Sequence, residues 1–431
     1  MTGKLQMPSK CVDLLIRAGM DKAQANVLLT RKTELNIDTG QLSLMRTTDD
    51  VSLSLTGIRN NRRGTTVINK TDDDAAVMAV EQVVNLSDAG ESDPAVDISP
   101  FQPGENFSRG PEEPNLDLMF SRLNSFAHSV QERYPTLILE QAVLDHTEKK
   151  RAFANSNGVR FSSRRGQYNF TVMFTCKDGG KTSSFNYSMV SMEDMEKELC
   201  ELGAIDTLMK QSVEQVSTAV LPEAFVGDII VTPDCLGDFL GTVTGYLGDY
   251  SLITGTSIYK DSLGSKIADS RLTLRSMPVS SRLAGGYFFT GDGFKAENST
   301  IIENGVLKSF LLSLYGSRKT GGKRAANSGS FYVVDPGDKA FDDMVKSVDR
   351  GLLLCRFSGG APSSSGDFSG VAKNSYYIEN GAVKYPVSET MVAGNIREML
   401  TNVKSISRER VNNGYSIYPW IAFSGITVSG K

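Results

Sequence analysis

Hydrophobic and polar positions alternate differently along the two halves of the chain. In the first half, Val51, Leu53 and Leu55 alternate with Ser52 and Ser54, the period-two pattern of a half-buried strand. The run from Asn60 to Thr66 then leads into Val67 and Ile68, which predicts a hairpin. Asp72, Asp73 and Asp74 precede Ala75, Ala76, Val77, Val80, Val83 and Val84, an acid-capped helix with one apolar face. Residues 88–115 are dense in proline, glycine and acidic side chains and read as an exposed loop. Leu116, Met119, Phe120, Leu123, Phe126, Ala127 and Val130 return at helical spacing, and that helix ends near Pro135. Leu137 to Leu144 reads as a strand, and 151–190 as antiparallel hairpins built on short alternating runs such as Tyr168 to Phe174. A long helix is expected from Met192 to Val220, with a domain boundary near Leu221-Pro222.

The second half is dominated by glycine and short strands. Val226 to Thr232 reads as a strand, followed by a helix from Asp234, as N-cap, through Leu247. The tetrapeptide Ile-Glu-Asn-Gly occurs at 302–305 and again at 378–381, each time between apolar runs, and Asn-Gly in that setting signals a tight hairpin. The chain therefore reads as α+β: an N-terminal α/β domain with hairpins over 1–220, and a C-terminal, mostly antiparallel β domain with a few helices over 221–431.

Composition narrows the function. A net charge of −4 and the lack of any basic stripe argue against nucleic acid as a partner. The N-terminus has no long apolar run, so no signal peptide is expected. No stretch approaches the roughly 18 apolar residues that span a bilayer, so no membrane partner is expected and the default compartment is the cytoplasm. Cys11, Cys176, Cys200, Cys235 and Cys355 are scattered and never form CxxC, which suits reduced, buried thiols.

Familiar catalytic patterns are missing from the sequence. His128 and His146 lie too far apart for a two-histidine metal site on one helix and read as structural or surface residues. No serine stands in GxSxG. The stretch Gly316 to Arg324 fails as a P-loop, with Arg324 where serine or threonine is required. Carboxylate pairs such as Asp72/Asp74 and Asp342/Asp343 read as solvated.

Four segments in order resemble the TldD/PmbA family across essentially the whole chain. They are Arg151 to Gly158 with its Asn-Ser-Asn-Gly turn, Gly255 to Leu274, Ile301 to Gly321, and Gly366 to Val403 with its YPVSE and AGN runs. In that family the TldD branch carries HExxxH on a helix after a strand, plus a distant cysteine, a set that holds zinc with the glutamate as general base. The TldE or PmbA branch keeps the fold without those ligands. Aligned on this pattern, Pro233 and Asp238 replace the histidines, Asp234 replaces the glutamate, and the cysteine position falls near Arg410. Proline offers no ligand and arginine repels a cation. One carboxylate, Asp238, does not hold zinc tightly, so no metal is expected in this chain and zinc is expected in a TldD-type partner. Asp234 has the plainer reading of a helix cap. The run Arg324 to Ser330 departs from the STGHAGG-like pattern of TldE chains.

The resemblance implies a non-catalytic subunit of a TldD/TldE-type metallopeptidase complex. It would hold an unfolded or extended peptide as an added β-strand, in proteolysis of unfolded or modified peptides. Asp261, Ser262 and Gly264 of the Asp-Ser-Leu-Gly turn, together with Asp367 and Ser369, are the candidates for cleft lining; their plain reading is a turn and a glycine-rich loop. Two alternatives stand beside this. One is an independent peptidase or hydrolase using Asp234, Asp261 and Asp367, although no nucleophile–base pair is visible. The other is a gyrase-associated modulator, a label attached to the family. A homodimer is the alternative to the heterodimer.

Overall fold

The computed structural model describes residues 2–38, 40–221, 223–360 and 362–430. Pro222, half of the predicted domain boundary, lies outside the described residues, as do the chain ends Met1 and Lys431 that bound the two predicted domains.

Two large sheets organise the chain, and both are mainly antiparallel, giving the expected α+β class. The eight-stranded sheet draws on residues 22–192. Its centre is a pair of long hairpins, Lys22–Asp38 with Gln41–Arg59 and Leu137–Asn155 with Arg160–Asp178, joined edge to edge through Lys22–Asp38 and Leu137–Asn155. The predicted hairpin after residue 59 forms, with Asn60 and Asn61 both in the left-handed region and Arg62–Ile68 paired on Leu53 to Arg59. The helix Asp73–Ala89 is capped by Asp72, whose carboxylate accepts from the Ala75 N–H at 2.9 Å. With the first helix, Thr2–Arg17, it covers one apolar face around Leu53, Leu55, Val80 and Val83. Helix Leu116–Arg133 and helix Ile205–Glu214 enclose a second apolar cluster around Phe126, Phe170 and Phe174.

Three expectations are corrected here. The predicted long helix 192–220 is instead the end of the strand Asn186–Met192, a short 3-10 turn at Leu199–Glu201 and the ten-residue helix Ile205–Glu214. Met195 reaches the core from irregular chain and Leu199 from the 3-10 turn, so burial of this segment does not need one continuous helix. The predicted exposed loop 88–115 contains the strand Glu105–Arg109 and buries Ala95, Val96, Ile98 and Ser99. Asn155, fully buried, donates to the Ser99 carbonyl and hydroxyl at 2.9 Å, which ties that segment down. His146 lies within the strand Leu137–Asn155 rather than past its end; it is buried against Tyr168, and its imidazole is held below the usual range by that burial.

The thirteen-stranded sheet draws on residues 225–429. At its centre Phe225–Val231 lies between the long C-terminal strand Ile417–Ser429 and the parallel strand Arg350–Leu354. Both Asn-Gly repeats turn as expected, Asn304-Gly305 and Asn380-Gly381 having positive φ in tight hairpins. The helix Pro233–Tyr246 lies across this sheet, burying Leu236, Phe239, Leu240 and Val243 in the largest apolar cluster.

Candidate functional site

The strand Phe225–Val231 runs directly into the helix Pro233–Tyr246, so the first helical turn sits at the strand's carboxyl end. Thr232 is the cap residue; its N–H donates to the Leu354 carbonyl at 3.0 Å and its hydroxyl to the Cys355 carbonyl at 3.4 Å. Pro233 occupies the first helical position, where its missing N–H costs nothing. Asp234 is therefore inside the helix, and its expected role as N-cap is corrected: proline at the preceding position leaves Thr232 as the residue in extended conformation.

This helix start forms one wall of a cavity of about 320 Å³. Pro233, Asp234 and Asp238 line it from the helix. Asn186, Ser188 and Tyr187 line it from the edge strand of the N-terminal sheet, Arg356 and Phe357 from the strand Arg356–Gly359, and Asn413 and Tyr415 from the turn before the C-terminal strand. The two sheets thus meet at this point. The turn is anchored by backbone bonds: the Ser191 N–H donates to the Asn413 carbonyl and the Gly285 N–H to the Gly414 carbonyl, both at 2.9 Å.

Burial governs the electrostatics. It pushes the Asp234 carboxyl up to about 6, against the opposing hydrogen bonds from Asn413 and its own N–H. Asp238, one turn later, is also raised by desolvation, with Arg356 opposing. The Tyr415 phenol is pushed up to about 12 by burial and by the neighbouring Asp234. The Cys235 and Cys355 thiols are raised by burial, which keeps them protonated. Arg356 spans the mouth. It donates to the Phe185 carbonyl at 3.0 Å, and its guanidinium lies 4.3 Å from the Phe185 ring centre and 5.0 Å from that of Tyr187. Phe185, Tyr187 and Met189 stay exposed beside it.

Zinc requires three or four deprotonated nitrogen, sulfur or oxygen ligands converging on one point. Among the described residues no group of three or more histidine, cysteine, aspartate or glutamate side chains is placed to hold a metal ion. At this helix start Pro233 supplies no ligand atom, and the two thiols are protonated. The residues present do not fit a zinc ion.

Arg410 does not join the cavity. It lies on the strand Val403–Asn412, paired with Pro419, where its charge is disfavoured by burial and by Arg282. The C-terminal contribution comes from Asn413 and Tyr415, beyond the end of that strand, because the turn carries the chain back over the helix start. The other sequence candidates are also elsewhere. Asp261, Ser262 and Gly264 form a turn fastened by the Gly264 N–H to the Leu307 carbonyl at 2.8 Å. Asp367 is held below the usual carboxylate range by Ser365, Asn395 and Ser363. It and Ser369 lie on the strand Asp367–Lys373, next to Arg356–Gly359. An adjoining cavity of about 390 Å³ continues from Asp238 and Phe357 to Pro362 and Phe368, but its lining includes neither Asp367 nor Ser369. Neither of these two cavities brings Asp261 or Asp367 together with Asp234. The departing run Arg324 to Ser330 is anchored at two points, although Ser328 and Ser330 are exposed: Arg324 pairs with Asp292 at 3.0 Å, and buried Asn327 ties Ser276, Ser299 and the Glu297 carbonyl together.

Asn186, Ser188, Arg356, Asn413 and Tyr415 were not singled out in the sequence. They come from three separate segments, and none carries a motif; Asn413-Gly414 is legible only as a turn.

The comparisons agree with this architecture. Residues 226–430 match the profile described as the PmbA/TldA metallopeptidase C-terminal domain. Metalloprotease PmbA of Escherichia coli O157:H7 is 24% identical over 433 residues, covering 93% of this chain and 92% of that protein. The metalloprotease PmbA homolog of Haemophilus influenzae is 22% identical, covering 97% and 96%. The solved structure of TldE from Thermococcus kodakarensis superposes with a TM-score of 0.83 at 18% identity, covering 98% of this chain and 100% of that one. A Bacteroides thetaiotaomicron protein described as a candidate modulator of DNA gyrase gives 0.87 at 20% identity, covering 99% and 98%. Residues 226–430 thus carry the PmbA/TldA metallopeptidase C-terminal domain, and along its whole length the chain resembles the PmbA/TldD family.

Proposed function

We propose that this chain is the TldE/PmbA-type subunit of a two-chain metallopeptidase, holding peptide while a TldD-type partner supplies zinc and the hydrolytic step. The observation that carries this reading is the helix start itself. The position matched to the first histidine is a buried proline, and the surrounding donors are a raised carboxyl and two protonated thiols, a set that suits neither a metal nor an activated nucleophile. The strand Arg356–Gly359 supports the peptide-holding role. Among the described residues it pairs on one side only, with Asp367–Lys373, leaving an edge next to the cavity where an extended chain adds by main-chain hydrogen bonds.

The test is co-expression with a TldD-type chain, followed by size-exclusion chromatography with light scattering, elemental analysis and digestion of an unfolded casein substrate. A one-to-one complex with zinc in the partner, and chelator-sensitive cleavage by the complex but not by this chain alone, is expected. Stoichiometric zinc in the isolated chain, or cleavage by it that survives chelation, overturns the proposal.

A further inference from the structure

The eight-stranded sheet has an open edge away from the candidate site. Strand Gln41–Arg59 pairs with Lys22–Asp38 on one side, but Arg62–Ile68 covers its other side only from Leu53 to Arg59. Among the described residues no strand pairs with that side from Gln41 to Ser52, and every residue from Gln41 to Asp50 is exposed. Every second residue there turns its backbone N–H and C=O outward, towards no strand of this chain. Leu42, Leu44 and Met45 are 43%, 39% and 56% exposed. Where the covering strand stops, a cavity of about 640 Å³ opens between Val51, Ile68 and the helix residues Ala75, Met78 and Ala79. A long open edge with apolar side chains is a template for another strand.

The sequence of the edge says which strand. A strand that meets its own copy across a two-fold axis runs antiparallel to itself, and side chains directly opposite share one face of the sheet. Centred on Thr48, that pairing sets Arg46 opposite Asp50 and Met45 opposite Val51, each twice by symmetry. Arg46 donates its Nε to Glu34 at 2.6 Å, and Lys32 also holds Glu34 at 2.6 Å, so the terminal guanidinium nitrogens are left for Asp50 of the second copy. Asp50 makes no ion pair among the described residues, whereas Asp49 stays with Arg31 at 3.7 Å. The register against Lys22–Asp38 is unbroken from Leu35/Met45 to Leu29/Val51, so Met45 and Val51 lie on one face. Met45 of the second copy therefore arrives at the mouth of the cavity beside Val51. Charges on an edge strand commonly just keep it solvated. Here the two signs complement each other in the same register that matches the apolar pair, which solvation alone does not require.

We infer that two copies of this chain pair antiparallel through residues 45–51, in the register centred on Thr48, joining their eight-stranded sheets edge to edge. The inference goes beyond the subunit reading and does not depend on it, because no residue of this edge lines either cavity at the helix Pro233–Tyr246. A TldD-type partner then binds another face, giving an assembly with two of each chain. One strand pair is a small interface, so the dissociation constant is expected on the order of 10 μM.

The full chain alone is followed by sedimentation velocity over a concentration series, where a monomer–dimer equilibrium is expected. Asp50→Lys sets like charges opposite each other at both symmetric positions and should weaken the dimer about tenfold or more, with an unchanged circular dichroism spectrum. If that variant folds poorly, Thr48→Cys tests the register separately. Directly opposed residues have Cα atoms about 4.5–5.5 Å apart, within reach of a disulfide. Mild oxidation should therefore link two copies of Thr48→Cys, while Tyr250→Cys, at a position 79% exposed on another element, stays monomeric. A monomer at concentrations on the order of 100 μM, a dimer indifferent to Asp50→Lys, or no faster linking at Thr48 than at Tyr250 overturns the inference. Loss of the dimer on adding a TldD-type chain, with one copy of each in the product, assigns the edge to that partner and overturns the second copy as its occupant. An intact dimer that binds no TldD-type chain upholds this inference and sinks the subunit reading instead.

Discussion

Replacing Asp234 by asparagine should stabilise the protein at neutral pH, although it removes a charge from the candidate site. Burial raises the carboxyl from its ordinary 3.8 to about 6. A group whose folded value lies above its unfolded one favours folding when protonated; that contribution is fully present below about pH 4 and is lost as pH rises through about 6. At pH 7.5 the ionised carboxylate therefore opposes folding by as much as about 3 kcal/mol. The side chain is only partly enclosed, so solvent screening should reduce the realised value to about 1–2 kcal/mol. Asparagine has the same shape, no charge, and can keep a hydrogen bond with Asn413. The assay is scanning calorimetry of both proteins at pH 7.5 and at pH 4.5. For a domain of this size each kcal/mol moves the midpoint by roughly 2–4 °C. The variant should melt several degrees higher at pH 7.5, and its free-energy gain at pH 4.5 should be about a third as large. A loss of stability at pH 7.5, or an equal gain at both pH values, refutes the reasoning: the first would show that the carboxylate is stabilised by its surroundings, the second that charge is not the cause.

Two further outcomes follow from the same region. Gly414 has φ of 76°, and a Cβ there would lie 1.8 Å from the Ser191 carbonyl, so Gly414→Ala should cost about 3 kcal/mol or more, read as a lowered melting midpoint. Gly241, inside the helix with open space where its Cβ would be, is the control, and Gly241→Ala should be neutral or stabilising by up to about 1 kcal/mol. Cys11, Cys176, Cys235 and Cys355 are buried while Cys200 is half-buried, so a disulfide exchange reagent should titrate Cys200 rapidly in the native chain and the remaining thiols only on unfolding. Rapid modification of Cys235 or Cys355 in the native state, located by peptide mass mapping, would contradict the burial that keeps those thiols protonated.

Local signals in the sequence determined a good deal. Asp72 before an apolar helical stripe, Asn60-Asn61 between alternating runs and the two Ile-Glu-Asn-Gly turns each depend on neighbours a few residues away, and each forms as read. The segment 192–220 is not one helix, because Met195 and Leu199 are buried from irregular chain and a 3-10 turn that pack against distant strands, which local sequence does not announce. Only the tertiary structure decided the candidate site. Pro233, Asp234 and Asp238, matched by position, share the start of one helix and line one cavity with Asn413 and Tyr415, whereas Arg410 lies on the strand before that turn and outside the cavity's lining. Asn186 and Ser188 come from the other sheet, and Arg356 from a strand more than 100 residues further along the chain. Their meeting depends on how two sheets pack, a long-range outcome of burial that leaves no period, spacing or motif in the sequence to read.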